Sequence, residues 1–160
     1  MKHPIFYERE ELFDVNMIIT MIVTVNGQIP EDKMREAFAE AVRINEFLNS
    51  RIAIEDDGSA FYVDNDKPRS FIEVTDEDLD EVRKQQERVR FRIEEGEYVR
   101  AFAKRGEGKT TLLFMMHHIA GDGKSLLYFV EDFMAFFAQG ERSVKKIRTA
   151  ETVKKLDPIV

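Results

Sequence analysis

The spacing of apolar and polar residues predicts several short strands in the first half of the chain. Met, Ile, Thr and Val dominate residues 16–25, and the turn pair Asn26-Gly27 follows them, as is typical at the end of a strand. Residues 51–55 and 59–63 flank Asp57-Gly58, a pair that favours a tight hairpin turn. The pattern therefore predicts one strand followed later by a two-stranded hairpin.

A second pair of strands is predicted between residues 98 and 118. Segment 110–118 begins with a short run that is apolar on both faces, which indicates a strand buried on both sides rather than a helix. Segment 98–104 precedes it across a glycine-containing turn and is predicted to be its antiparallel partner. Gly121 and Gly123 then interrupt the strand pattern.

Two helices are predicted upstream of segment 98–104. The first opens at Pro30, with Glu31 and Asp32 where the helix dipole favours acids. Its apolar residues recur at helical spacing and form one buried face: Met34, Ala37, Phe38, Ala41 and Val42. The second helix is predicted to begin at Thr75, with Asp78 as part of a capping box.

A third helix, predicted for residues 124–138, is apolar over much more than one stripe of its surface. Such a helix is normally buried, so the favoured interpretation is a central core helix that ends at Gly140. The alternative is that part of its surface covers a second lobe or another subunit, because a large exposed apolar patch marks an interaction site. The apolar residues are Leu126, Leu127, Phe129, Val130, Phe133, Met134, Phe136 and Phe137.

The composition limits the possible partners and cellular setting. The chain of 160 residues fits one domain, and its net charge of −7 argues against a nucleic-acid partner, which requires basic surface. The absence of cysteine excludes disulfides and suits a cytoplasmic location. The longest apolar run, residues 17–25, is too short to span a bilayer, and the N-terminal residues lack the apolar stretch of a signal peptide.

Two adjacent histidines stand at the end of predicted strand 110–118. Histidine titrates near neutral pH, so His117 and His118 are candidate proton acceptors. Successive side chains of a strand point to opposite faces, so the two are not expected to serve one site together. A metal site built from both histidines and Asp122 is rejected for the same reason, and no cysteine or further histidine is nearby to complete a tetrahedral shell.

The string His117-His118-Ile119-Ala120-Gly121-Asp122-Gly123 resembles the HHxxxDG motif of the condensation domains of nonribosomal peptide synthetases. It is equally similar to the motif of the wider chloramphenicol acetyltransferase-like acyltransferases. Ser125 and the glycine-led segment 96–101 also resemble this superfamily. Residues 47–52 resemble its leucine-arginine-x-arginine stretch, with Asn49 in place of the first arginine. These pieces occur in the superfamily's order and cover most of the chain.

The resemblance implies an α+β fold, namely the two-layer α/β sandwich of the N-terminal lobe of a chloramphenicol acetyltransferase-like protein. Residues 1–140 would form this lobe. Residues 141–160 carry many charges and few large apolar side chains, and they would form a charged tail or linker. Single-chain enzymes of the superfamily have two similar lobes with the active site between them. We therefore expect a second lobe or another subunit to complete a site.

The resemblance also implies a role for each residue of the motif. His118 would be the catalytic residue and act as general base on the acceptor, while His117 would pack and form hydrogen bonds. Asp122 would be structural and paired with an arginine, for which Arg51 is the candidate. Gly123 would keep the mouth of the acyl-carrier channel open, since a side chain there would crowd the thioester arm.

The implied function is transfer of an acyl group from a thioester to an amine or hydroxyl, as in nonribosomal peptide synthesis. The donor would be acyl-coenzyme A or the phosphopantetheine arm of an acyl carrier protein, used as a substrate, with no tightly bound cofactor. The alternative is a non-catalytic binding or assembly module that keeps the fold without a complete site. The environment of His118 separates these two hypotheses.

Overall fold

Two β-sheets and three α-helices make up the part of the chain that the computed structural model describes, residues 2–5 and 16–139. The strands are β1 (Lys2–Pro4), β2 (Ile18–Asn26), β3 (Ser50–Ile54), β4 (Ala60–Asp64), β5 (Phe71–Val74), β6 (Val99–Gly106) and β7 (Lys109–His117). The helices are α1 (Glu31–Arg43), α2 (Leu79–Glu87) and α3 (Gly123–Gln139). Short 3-10 turns cover Glu46–Asn49, Ile93–Glu95 and His118–Ala120. The predicted α+β fold is confirmed.

The larger sheet has the strand order β2-β7-β6-β5, and the smaller sheet has the order β1-β4-β3. Neighbouring strands are antiparallel except β5 and β6, which run parallel. The predicted hairpins β3–β4 and β6–β7 are both present. Their turns contain Gly58 and Gly108, whose φ angles of +88° and +67° suit glycine. β7 is therefore a central strand, with β2 on one side and β6 on the other.

Helices α1 and α3 pack against each other, and α3 packs against β7. The ring of Phe38 on α1 meets Phe129 on α3 edge-on, with centroids 5.4 Å apart. Phe114 on β7 meets both Phe129 and Phe133, at 6.2 and 5.4 Å. The five apolar residues predicted for the inner face of α1 are all buried. Residues 112–117 of β7 are buried on both faces, as its unbroken apolar run predicts.

The start of α2 differs from the prediction. The helix begins at Leu79 and not at Thr75, because Asp78 is the N-cap. The Asp78 carboxylate accepts hydrogen bonds from the N–H groups of Asp80 and Glu81 at 2.9 and 3.2 Å. The Thr75 hydroxyl accepts a bond from Glu77 at 3.1 Å, which forms a turn before the helix.

Helix α3 has a buried side and an exposed side. Four of its apolar residues are buried, as the core-helix interpretation requires: Leu126, Phe129, Val130 and Phe133. Leu127 is 43% exposed, so the apolar surface of the helix extends beyond the core.

Segment 141–160, predicted to be a charged tail, lies outside the described residues. Of the helices in the described ranges, none combines the length and the apolar character that crossing a membrane requires.

Candidate active site

The two histidines lie where the central strand β7 leaves the larger sheet. His117 is the last residue of β7, and His118 opens the short turn that follows. The backbone N–H of His118 donates to the Met17 carbonyl at 2.8 Å, just before β2 begins. The N–H of Gly121 donates back to the His118 carbonyl at 3.2 Å. The backbone on both sides of His118 is therefore held in place.

The side chain of His117 points into the protein. It is only 1% exposed, and its Nδ1 atom accepts a hydrogen bond from the N–H of Ile119 at 3.0 Å. The ring also meets Phe91 edge-on, with centroids 5.8 Å apart. A nitrogen that accepts this bond carries no proton, so the neutral His117 ring has its proton on Nε2. His117 thus packs and hydrogen bonds within the core.

The imidazole of His118 is partly exposed and contains one unsatisfied atom. Its Nδ1 is buried and has no hydrogen-bond partner among the residues the structure describes. Buried polar atoms are rarely left without a partner, and each exception requires an explanation such as a catalytic role. The two neighbouring histidines therefore have different environments, since the ring of His117 is enclosed and bonded and that of His118 reaches the surface.

Asp122 bonds to Ser125, which lies three residues further along the chain. Its Oδ1 atom accepts hydrogen bonds from the N–H and the hydroxyl of Ser125, at 3.0 and 3.1 Å. Gly121 lies beside this pair with a φ of +154°, and a Cβ atom there would overlap the Cβ and Oγ atoms of Ser125. The sequence Gly121-Asp122 therefore lets the chain close tightly onto the first turn of α3.

The predicted pair between Asp122 and Arg51 is not formed. Among the described residues, the ion pairs and hydrogen bonds include none between these two side chains. Arg51 is exposed on β3 of the smaller sheet, whereas Asp122 follows β7 of the larger sheet. The position of Arg51 within its sequence stretch resembled that of the family arginine, but its strand does not bring it to Asp122.

Asn49 takes the place of the first arginine in the leucine-arginine-x-arginine stretch that residues 47–52 resemble. Its side chain bonds to the backbone near the end of α1. Its amide donates hydrogen bonds to the carbonyls of Val42 and Arg43, at 2.6 and 3.1 Å. These carbonyls lie at the C-terminal end of α1, where backbone acceptors lack partners within the helix. Asn49 therefore closes the end of α1 rather than reaching toward Asp122.

Gly123 is the first residue of α3 and borders open space. A Cβ atom there would meet no protein atom within 4 Å. Packing among the described residues therefore does not require a glycine at this position.

One hydrogen bond is made at the short turn His118–Ala120, here called the histidine turn, and sequence patterns do not predict it. The hydroxyl of Tyr62 donates to the carbonyl of Ile119 at 2.6 Å, and both groups are buried. Tyr62 lies on β4 of the smaller sheet, 57 residues earlier in the chain. A tyrosine within a short strand gives no sequence signal of such a contact, because it depends on how the two sheets pack.

The described ranges 2–5 and 16–139 contain no group of three or more His, Cys, Asp or Glu side chains that could hold a metal ion. His117 and Asp122 bind neighbouring residues of the same turn.

Comparison with known families identifies the chain. The sequence matches the family model of the condensation domain over residues 10–152. The chain belongs to the condensation domain family. No curated protein matches it.

Solved structures share the fold of this condensation-domain chain. The condensation domain of the monacolin K polyketide synthase MokA has a TM-score of 0.78 at 15% identity, and the match covers 97% of this chain and 38% of that one. For the first condensation domain of the CDA synthetase the TM-score is 0.76 at 12% identity, with 95% and 44% covered. Polyketide synthase associated protein 5 from Mycobacterium tuberculosis gives 0.68 at 18%, with 98% and 40% covered. This chain thus spans about two fifths of the length of these structures.

Proposed function

We propose that this chain supplies the histidine-bearing lobe of an acyl-transfer site in which His118 is the general base. The observation that carries the proposal is the buried Nδ1 of His118, which lacks a partner among the described residues. Membership in the condensation domain family supports transfer of acyl or peptidyl groups as the class of reaction. A positioned general base contributes a factor of about 10²–10⁴ to a reaction rate.

The burial of Nδ1 supports proton transfer at the other ring nitrogen of His118, Nε2. A neutral imidazole carries its proton on one nitrogen and a lone pair on the other. When Nε2 accepts a proton from substrate, Nδ1 already carries the first proton and needs a hydrogen-bond acceptor. The described residues supply none, which supports a site that a second lobe or another subunit completes.

The proposed reaction transfers an acyl group from a thioester to an amine or a hydroxyl. The acceptor nitrogen or oxygen attacks the carbonyl carbon while Nε2 of His118 takes the proton of the acceptor. The tetrahedral intermediate then collapses, the C–S bond breaks, and the imidazolium returns its proton to the departing thiolate. The products are an amide or ester and a free thiol, and His118 ends the cycle neutral.

The donor in this proposal is acyl-coenzyme A or the phosphopantetheine arm of an acyl carrier protein, and either is a substrate rather than a bound cofactor. The open space beside Gly123 provides room for the thioester arm. Asp122 and His117 hold the turn that carries the base, through Ser125 and Ile119. We propose residues 1–140 as the lobe and 141–160 as a tail or linker.

The second candidate is a non-catalytic binding or assembly module. One observation favours it, namely the exposed apolar residues beside the turn that carries His118. Met17, whose carbonyl accepts a hydrogen bond from the N–H of His118, is 48% exposed. Val89, whose carbonyl accepts a hydrogen bond from the side-chain amide of Asn16, the residue before Met17, is 50% exposed. Exposed apolar residues close to the histidine turn suit a surface that binds another protein.

The test is release of free thiol from acyl thioesters by the chain, measured both for the purified chain alone and for the chain in its native assembly. Acetyl-coenzyme A, hexanoyl-coenzyme A and an acyl-pantetheine serve as donors, with a panel of primary amines and alcohols as acceptors. The variant is His118→Ala, and the matched control is His3→Ala, which removes the third histidine of the sequence from an exposed strand. We expect His118→Ala to lower the acceptor-dependent rate by about 10²–10⁴ and His3→Ala to leave it unchanged.

Equal rates for the wild type and His118→Ala would remove the general-base proposal. A wild-type chain that releases no thiol with any donor, alone or in its native assembly, would favour the non-catalytic module.

A further inference from the structure

The turn that carries His118 is anchored through its neighbour, Ile119. Both backbone polar groups of Ile119 bond to side chains, since its N–H donates to Nδ1 of His117 at 3.0 Å and its carbonyl accepts from the hydroxyl of Tyr62 at 2.6 Å. Ile119 itself is fully buried. The peptide units on either side of Ile119 therefore have fixed orientations, and the first of them begins at His118.

Tyr62 is well placed to act as a rigid anchor. It lies on β4, the middle strand of the smaller sheet, where its backbone pairs with Ile52 of β3 and with His3 of β1. The side chain is 5% exposed, and its ring packs against Phe47 with centroids 4.8 Å apart. A hydroxyl held by a paired strand and a packed ring has little freedom to follow a moving turn.

We propose that Tyr62 is a positioning residue for His118. Its hydroxyl fixes the carbonyl of Ile119 and thereby sets the direction in which the imidazole of His118 leaves the turn. The reactive geometry would then depend on the smaller sheet as well as on the strand that carries the motif. This inference rests on the proposed role of His118 in acyl transfer. A misplacement of about 1 Å in a reacting group costs up to about 10² in rate, so one hydrogen bond at this turn has a measurable effect.

The variant Tyr62→Phe removes the anchoring oxygen and keeps the ring. The chain offers a matched control in Tyr98, whose buried hydroxyl lies 3.1 Å from Oγ of Ser50 and does not bond to the histidine turn. Tyr98→Phe also removes one buried tyrosine hydroxyl. A general loss of stability therefore affects both variants, whereas loss of positioning affects Tyr62→Phe alone.

The first readout is the NMR spectrum of the full chain with isotope-labelled histidine. The sequence has three histidines. Their ring signals are assigned by comparing the wild-type spectrum with those of His118→Ala and His3→Ala, each of which lacks the signals of one histidine. We expect Tyr62→Phe to shift or broaden the Cδ2 and Cε1 signals of His118, while Tyr98→Phe leaves them in place. Unchanged His118 ring signals in a folded Tyr62→Phe chain would overturn the inference, whatever the activity.

The second readout is kinetic and separates this inference from the proposed function. In the thiol-release assay we expect Tyr62→Phe to lower kcat about tenfold to a hundredfold with little change in KM, and Tyr98→Phe to keep kcat within about twofold. If His118→Ala has full activity, the proposed function fails while the NMR test of the Tyr62 contact still stands. If His118→Ala is inactive and Tyr62→Phe has wild-type kcat, the positioning role alone fails.

Discussion

Asp122 and Ser125 form a reciprocal pair at the start of α3. Oδ1 of Asp122 accepts from the N–H and the hydroxyl of Ser125 at 3.0 and 3.1 Å, and the Ser125 oxygen accepts from the N–H of Asp122 at 3.3 Å. Asp122 directly precedes the helix, so it satisfies a free N–H of the first turn and places a negative charge at the positive end of the helix dipole.

Replacing Asp122 with alanine should destabilise the protein because the helix loses its cap. We expect Asp122→Ala to lower the free energy of unfolding by about 1 kcal/mol, and Asp122→Asn, which keeps an acceptor oxygen, by less than about 0.5 kcal/mol. Urea denaturation followed by circular dichroism measures both values.

The same measurement tests the separation of Asp122 from Arg51. Arg51 is exposed, so Arg51→Ala should change the free energy of unfolding by less than about 0.5 kcal/mol. The double variant should be additive, as expected for residues without contact. A coupling energy above about 1 kcal/mol would show that the two side chains interact after all.

The two glycines that flank Asp122 should respond differently to substitution. Gly121→Ala introduces a Cβ that overlaps Ser125, and we expect a loss of about 1–3 kcal/mol in the free energy of unfolding. Gly123→Ala meets no atom within 4 Å at the first position of α3. Its stability should equal that of the wild type or exceed it by up to about 1 kcal/mol, because alanine favours helix more than glycine does.

Gly123→Ala therefore isolates the proposed function of that position. If a thioester arm passes Gly123, the folded variant should have a raised KM or a lowered rate in the thiol-release assay. Wild-type kinetics for Gly123→Ala would contradict a role in admitting the arm, and a large loss of stability would contradict the open space seen beside it.

Arg100 should be one of the most sensitive charged residues of the fold. Its side chain is 3% exposed and donates to the carboxylate of Glu97 and to the carbonyls of Val89 and Arg90. The guanidinium also lies 3.9 Å from the ring centroid of Phe91. Arg100→Ala leaves the mostly buried carboxylate of Glu97 unpaired. We therefore expect the free energy of unfolding to fall by about 3–5 kcal/mol.

The control for Arg100 lies on the same strand. Arg105 is exposed near the end of β6, so Arg105→Ala should change the free energy of unfolding by less than about 0.5 kcal/mol. Similar melting temperatures for the two alanine variants would show that the buried network around Arg100 contributes little to stability.

Local patterns predicted the elements that depend on local interactions. The Asp57-Gly58 turn and the apolar face of α1 are encoded within a few residues, and both are present. The start of α2 was misplaced because Thr75 and Asp78 are both suitable caps, and the structure uses the aspartate. Strand β5 was not predicted, since its four residues pair in parallel with a strand that lies far along the chain.

The sequence could predict only those parts of the candidate site whose residues lie in one continuous segment. The string from His117 to Gly123 lies within one turn, so its residues come together whatever the rest of the fold does. Tyr62 and Arg51 lie on the smaller sheet, and sequence spacing does not state how that sheet meets β7. Tyr62 bonds to the turn and Arg51 does not. This difference depends on how the two sheets pack, which the sequence spacing does not reveal.

Tyr98 should make the protein less stable at high pH. Burial raises the pKa of its hydroxyl above the ordinary value of 10.0, and the hydrogen bond with Ser50 opposes this rise in part. Above pH 10 the unfolded chain loses the Tyr98 proton while the folded chain keeps it, so the folded state binds more protons. The free energy of unfolding should therefore fall by up to about 1.4 kcal/mol per pH unit from this residue. Urea denaturation at pH 8 to 11.5 should show the fall in the wild type and a shallower slope in Tyr98→Phe, whereas equal slopes would mean that Tyr98 ionises as readily in the folded protein as in the unfolded chain.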